Sequence, residues 1–311
     1  MPHNSLLAMF RDTAERHPSA PALAAKVEGA YRPLTYGEAA AQVRRFGAAL
    51  VRLGLAPGDR VALFCENRPE WAIADLGTYA AGGVVVPVYA TLPLPQVEHI
   101  VRDSGARVLV ASGPERAEAA VQLKAQVPAL EHVLVVDAPA VEGTVSFADL
   151  LAHEPDAEAA AESDRRAAAL TPETLATLVY TSGTTGEPKG AMLTHGNILA
   201  NLSDADDVLR IDEKDVFLSF LPLCHIFERM AGYYLALRNG SAIYFAESVY
   251  TVARNLTEVR PTLMMSVPRL FENMQARVLD AAEKAPPVQR RLFHWALEVG
   301  REHSEYRLKH L

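Results

Sequence analysis

The chain has 311 residues, half of them apolar and 22% charged, and 30 Lys and Arg against 38 Asp and Glu give a net charge of −8. That balance argues against nucleic-acid binding, which asks for a basic face, and the apolar content argues against intrinsic disorder. Two widely spaced cysteines, Cys65 and Cys224, make neither a disulfide framework nor a zinc pattern, and with no secretory leader and no apolar run of roughly 20 residues the expectation is a reduced, cytoplasmic protein, at most attached to a membrane surface.

In chain order, Thr35 stands as an N-cap and Glu38 completes a capping box for a helix through Val43, Phe46 and Leu50 to Gly54. Pro57-Gly58-Asp59 makes a turn into a buried strand over 60–65. The pattern then predicts a helix over 68–81, a strand over 84–88, a helix over 94–104 and a strand over 107–111. A helix over 115–126 and a strand over 132–136 follow. Strands alternating with helices of this length predict a mostly parallel sheet covered on both faces. The periodicity lapses between Ala152 and Pro172, which reads as a helical or irregular connector. Beyond it, strands are predicted at 176–180, 190–194, 216–221, 241–246 and 262–266, with helices over 269–282 and from 288 onward. The predicted fold class is therefore α/β, two-lobed, with mostly parallel sheets flanked by helices. Its lobes are predicted over 1–170 and 171–311, in keeping with a length that suits roughly two domains.

One segment carries more chemistry than the rest. Leu178-Val179-Tyr180 leads as a strand into Thr181-Ser182-Gly183-Thr184-Thr185-Gly186-Glu187-Pro188-Lys189-Gly190. Small residues let backbone N–H groups approach an anion, hydroxyls add donors, and a lysine adds a point charge. Such a loop suits the phosphates of a nucleotide; a plain solvated turn is the competing reading. Against the plain turn, the loop lies between apolar strands, and Lys189 is one of six lysines in a chain with 24 arginines. It is not a Walker A loop, because Gly190 follows Lys189 and Ala191-Met192-Leu193 continues as a strand rather than a helix. No Gly-x-Gly-x-x-Gly dinucleotide fingerprint occurs either.

The loop resembles the phosphate-binding signature of the adenylate-forming superfamily, which includes acyl-CoA synthetases, peptide-synthetase adenylation domains and luciferases. Leu34-Thr35-Tyr36-Gly37-Glu38 and Gly58-Asp59-Arg60-Val61-Ala62 resemble that family's early segments. Phe220-Leu221-Pro222-Leu223-Cys224-His225-Ile226-Phe227-Glu228-Arg229 resembles its next motif in the long-chain fatty acyl-CoA synthetase form. Pro261-Thr262 through Val267-Pro268-Arg269-Leu270-Phe271-Glu272 resembles the same branch, so the likeness covers nearly the whole chain.

The resemblance implies a two-step ligase: a fatty carboxylate attacks the α-phosphorus of ATP to give acyl-adenylate and pyrophosphate, and the thiol of coenzyme A then displaces AMP. It implies phosphate contacts from Thr181, Ser182, Gly183, Thr184, Thr185, Gly186 and Lys189, with Lys189 also catalytic and Thr181 as a hydroxyl on Mg²⁺. It places His225 near the acyl carboxylate, where it would orient that group or shield the adenylate; a hydrogen-bonded buried histidine is the alternative. Glu228 and Arg229 read as an ordinary ion pair. Met230 to Leu237 and Met264 to Val267 line an acyl channel or simply fill the core, while Trp71, Cys224 and His195 are core residues by default. The family's adenine-binding segment, its ribose Asp and its C-terminal lysine domain are not found before Leu311. The expectation is thus an N-terminal portion of a long-chain fatty acid–CoA ligase, inactive alone. The alternatives are another acid–CoA ligase or adenylation enzyme, or a truncated protein that binds nucleotide or acyl groups without catalysis.

Overall fold

Ser5 accepts a hydrogen bond from the Ala8 N–H at 3.1 Å and so caps the first helix, α1 (Leu6–Arg16). The computed structural model describes residues 3–137, 142–181 and 187–309. After α1 comes a hairpin of β1 (Pro21–Val27) and β2 (Ala30–Thr35) that the sequence pattern did not reveal. Its two-residue turn places both Glu28 (φ 50°) and Gly29 (φ 82°) in the left-handed region, the conformation that matches the twist of paired strands. The capping box of Thr35 and Glu38 is present and starts α2 (Tyr36–Arg52).

The chain continues through β3 (Arg60–Phe64), α3 (Pro69–Ala80), β4 (Val84–Val88), α4 (Leu94–Ser104), β5 (Ala106–Ala111), α5 (Pro114–Gln126), β6 (His132–Val135) and β7 (Val145–Ser146). Next are α6 (Phe147–Ala152), α7 (Ala157–Ala168), β8 (Leu175–Thr181), β9 (Lys189–Thr194), α8 (His195–Leu209) and β10 (Val216–Ser219). A π-helix (Glu228–Tyr234), α9 (Leu235–Asn239), β11 (Ala242–Phe245), α10 (Val252–Val259), α11 (Pro268–Glu283) and α12 (Pro287–Lys309) complete it.

Seven strands form one sheet in the order β7-β6-β5-β3-β4-β8-β9, parallel except for the β8/β9 pair. Four more form a second sheet, β10-β11-β1-β2, parallel except for β1/β2. Apolar residues alternate between the two faces of the larger sheet. Val61, Leu63, Val85, Val108 and Val110 join the core that holds α2 and α3, whereas Ala62, Phe64, Val86, Val88, Leu109 and Ala111 pack with α4 and α5. Both faces are dry, which is why these strands read as continuous apolar runs.

One expected strand is corrected, and the strand order crosses the expected lobe boundary. Both sheets draw strands from either side of residue 170: β8 and β9 extend the sheet begun by β3, and β1 lies beside β11. The sheets therefore do not part where a lobe boundary was expected. The connector region instead supplies α7, capped by Asp156, whose Ser163 bonds Ala80 O at 2.9 Å and whose Arg166 bonds Leu55 O at 2.6 Å. The chain divides at residue 265, with residues 266–311 forming a separate unit of α11 and α12. The strand expected at 262–266 reduces to one bridge, Leu263 with Phe217, because Pro268 opens α11 at once. No helix among the described residues is long and apolar enough to cross a membrane.

Candidate active site

All parallel strands of a sheet end on the same side, and the irregular segments that follow them can converge there. At the carboxyl ends of β4 and β8, Pro87, Tyr89, Thr91, Tyr180, Thr181, Pro188 and His225 line a cavity of about 470 Å³. A second, of about 380 Å³, shares Tyr89 and Thr91 with it. Its other walls, including Cys65, Asn67, Phe220, Cys224, Ala246 and Tyr250, follow β3, β10 and β11. One crevice thus collects strand ends from both sheets.

The segment expected to bind phosphate joins β8 to β9. Thr181 pairs with Lys189 across the ladder, so the two ends of the loop are held side by side. Ser182, Gly183, Thr184, Thr185 and Gly186 lie outside the described residues. Lys189 is exposed and lines a third cavity with His99, Asp103 and Glu187, adjoining the first at Pro188. Two side chains of α4 brace this hairpin: His99 Nε2 lies 3.0 Å from Pro188 O, and Asp103 accepts from the Tyr180 hydroxyl at 2.6 Å. Gly190 admits the Tyr180 ring, since a Cβ there would come within 3.1 Å of it.

His225 is exposed rather than buried. Its N–H donates to Pro222 O at 2.9 Å, and its Nδ1 accepts from the Phe227 N–H at 3.2 Å. With Nδ1 engaged as an acceptor, the neutral ring carries its proton on Nε2 and is a donor at that atom. Thr181 and His225, 44 positions apart, therefore share one cavity, and Lys189 stands at its neighbour.

Glu228 and Arg229 do not pair with each other. Arg229 is fully buried and donates to Asp75, to Tyr79 Oη at 2.9 Å and to Thr177 Oγ1 at 2.8 Å. Its guanidinium also lies 5.3 Å from the centre of the Trp71 ring. Burial opposes the charge, but Asp75 and the tyrosine oxygens outweigh it and hold Arg229 above its ordinary pKa. Glu228 accepts from the Ser219 hydroxyl at 2.7 Å, leaves Oε2 without a partner, and is pushed by burial up to about 8. His195 is buried against Tyr79 and pushed by burial down to about 4, so it is a neutral core residue. Trp71 and Cys224 are buried too, as is the run from Ala231 to Leu237. Burial pushes the thiols of Cys65 and Cys224 up to about 12, which leaves neither as a thiolate at neutral pH.

Among the described residues, no three His, Cys, Asp or Glu side chains gather as a metal cage. Thr181 offers one hard oxygen at the cavity. One hydroxyl oxygen fits only a magnesium ion that keeps most of its waters or takes its other ligands from elsewhere.

Open, mostly parallel sheets with a crevice at their carboxyl ends define the class of α/β proteins whose ligands bind at that edge. The chain belongs to the AMP-binding enzyme family, which it matches over residues 10–303. It is 30% identical to the long-chain-fatty-acid–CoA ligase ACSBG2 of Xenopus laevis, the alignment covering 97% of this chain and 42% of that protein. It is 34% identical to the long-chain-fatty-acid–CoA ligase FadD15 of Mycobacterium tuberculosis, over 97% of this chain and 50% of the relative. The chain thus spans half or less of the length of these relatives. The inhibitor-bound N-terminal domain of FACL13 from Mycobacterium tuberculosis superposes with a TM-score of 0.76 at 25% identity, over 88% of this chain and 65% of that one.

Proposed function

We propose that the chain is the ATP-loop-bearing part of a long-chain fatty acid–CoA ligase. The observation that carries this reading is the meeting of Thr181 and His225 in one cavity, with Lys189 paired to Thr181 across the hairpin; the long-chain ligases among its relatives support the substrate class.

The chemistry follows from the side chains. A carboxylate is a poor electrophile because oxide cannot leave, and adenylation replaces that oxide with a stable phosphate. A carboxylate oxygen forms a bond to the α-phosphorus of ATP as the bond to pyrophosphate breaks. The thiol of coenzyme A then adds to the acyl carbon, loses its proton, and AMP departs. Lys189 and the loop's N–H and hydroxyl donors would neutralise the β- and γ-phosphates, where charge builds as pyrophosphate leaves. Mg²⁺, bound through the substrate phosphates with Thr181 as a ligand, would add charge neutralisation. His225, a donor at Nε2, would hold one carboxylate oxygen and leave the other free to attack.

The test is acid-dependent pyrophosphate release by the intact protein across a panel of acids. Long-chain fatty acids should be preferred; a preference for benzoates or amino acids would overturn the assignment of substrate class.

A further inference from the structure

Between Ser219, the last residue of β10, and Glu228, the first of the π-helix, the chain runs eight residues, irregular over 220–225 and helical from Ile226, and carries His225. Its backbone polar groups need partners. The Asn67 side chain supplies three bonds. Its Nδ2 donates to Leu221 O at 2.7 Å and to Ser219 Oγ at 3.2 Å, and its Oδ1 accepts from the Leu223 N–H at 3.0 Å. Ser219 in turn donates to Glu228. One connected set of bonds, centred on Asn67, thus joins the two ends of this segment.

Asn67 follows β3 of the seven-stranded sheet, the sheet that also carries Thr181, whereas His225 follows β10 of the four-stranded sheet. The bond from His225 N–H to Pro222 O lies inside the turn that Asn67 clamps. We propose that Asn67 is the positioning residue for His225, setting its distance and ring orientation relative to Thr181 from across the crevice. The inference rests on the reading of His225 given above for its catalytic consequence, though the clamp itself does not. The residue type follows from the contacts: only a side-chain amide of this length offers acceptor and donors at once. Aspartate would lose both donors and set a carboxylate oxygen against Leu221 O, and leucine would leave the Leu223 N–H and Leu221 O unpaired.

The experiment follows the His225 imidazole by nitrogen NMR of histidine-labelled intact protein, beside pyrophosphate-release kinetics. Asn67→Ala should shift the His225 ring signals and leave those of His195 in place. It should lower kcat by about 10- to 100-fold, the scale of a reacting group misplaced by less than 1 Å, with the KM for ATP nearly unchanged. Combined with His225→Ala, it should cost no more than His225→Ala alone. Unmoved His225 signals, or losses that multiply in the double variant, would overturn the proposal. If Asn67→Ala does not fold, Asn67→Gln, which keeps the acceptor and the donors but moves them by one methylene, carries the same measurements. Should His225→Ala leave the rate intact, the catalytic reading of His225 fails, and the ring signals alone decide whether Asn67 positions it.

Discussion

Lys189 and Glu228 show how differently two charged side chains are used. Lys189 is exposed at the mouth of the hairpin, free to meet phosphate. Lys189→Ala should slow acid-dependent pyrophosphate release by roughly 10²–10³, the loss expected for one transition-state donor; a loss below about threefold would show that the loop does not hold ATP as argued. Glu228 is buried with one oxygen unpaired and its pKa raised to about 8. Between its unfolded value, near 4.5, and 8 the folded chain holds a proton that the unfolded chain releases, so stability falls as pH rises. His195 acts in the opposite sense: its folded value near 4 lies below the unfolded 6.5, and stability falls as pH drops through that window. Above pH 6.5 the His195 contribution no longer varies with pH, while that of Glu228 still does. Glu228→Gln should therefore remove a slope of up to about 1.4 kcal/mol per pH unit between pH 6.5 and 8, read from urea midpoints at several pH values, and should matter least near pH 4.

At the scale of elements, α2 and α3 pack closely because Gly77 of α3 meets the Phe46 ring of α2. A Cβ on Gly77 would come within 2.6 Å of Phe46 Cδ1, and Phe46 is itself fully buried. Mid-helix Gly→Ala ordinarily stabilises by about 1 kcal/mol, but overpacking of this kind costs about 1–3 kcal/mol. Gly77→Ala should lower the denaturation midpoint, and an unchanged or higher midpoint would show that the Phe46 ring has room to move. The helices and parallel strands were legible because their signals are local: the Thr35/Glu38 box and the runs of Val and Leu in β3 to β6 need no partner to be read. The β1/β2 hairpin was missed because its turn is Glu28-Gly29 instead of Asn-Gly. Asp75 and Arg229 were not linked because 154 positions separate them, and no local spacing encodes such a pair. Asn67 was invisible for the same reason, while Thr181 and His225 stood out only because each sits in a long motif.

For the whole molecule, a ligand that binds only the folded state stabilises it by mass action. ATP at about 100 times its dissociation constant should raise the unfolding free energy by roughly 2.7 kcal/mol, measured as a shift in the melting midpoint. Lys189→Ala should shrink that shift at the same ATP concentration. No shift at any ATP concentration would show that the folded chain does not bind ATP.

The pairing of β4 with β8 joins Val85 to Thr177, and that of β1 with β11 joins Leu23 to Ile243. Each sheet is completed by a strand arriving from far along the chain, and such contacts must overcome a large loop-closure entropy before they reward it. During synthesis the larger sheet cannot finish until Thr194 has emerged, nor the smaller one until Phe245, so the crevice, which takes strand ends from both, is among the last features to assemble. Substitutions at the β4/β8 seam should then speed unfolding more than they slow folding, which makes the lifetime of the native state, more than the rate of reaching it, the property most exposed to change at this site.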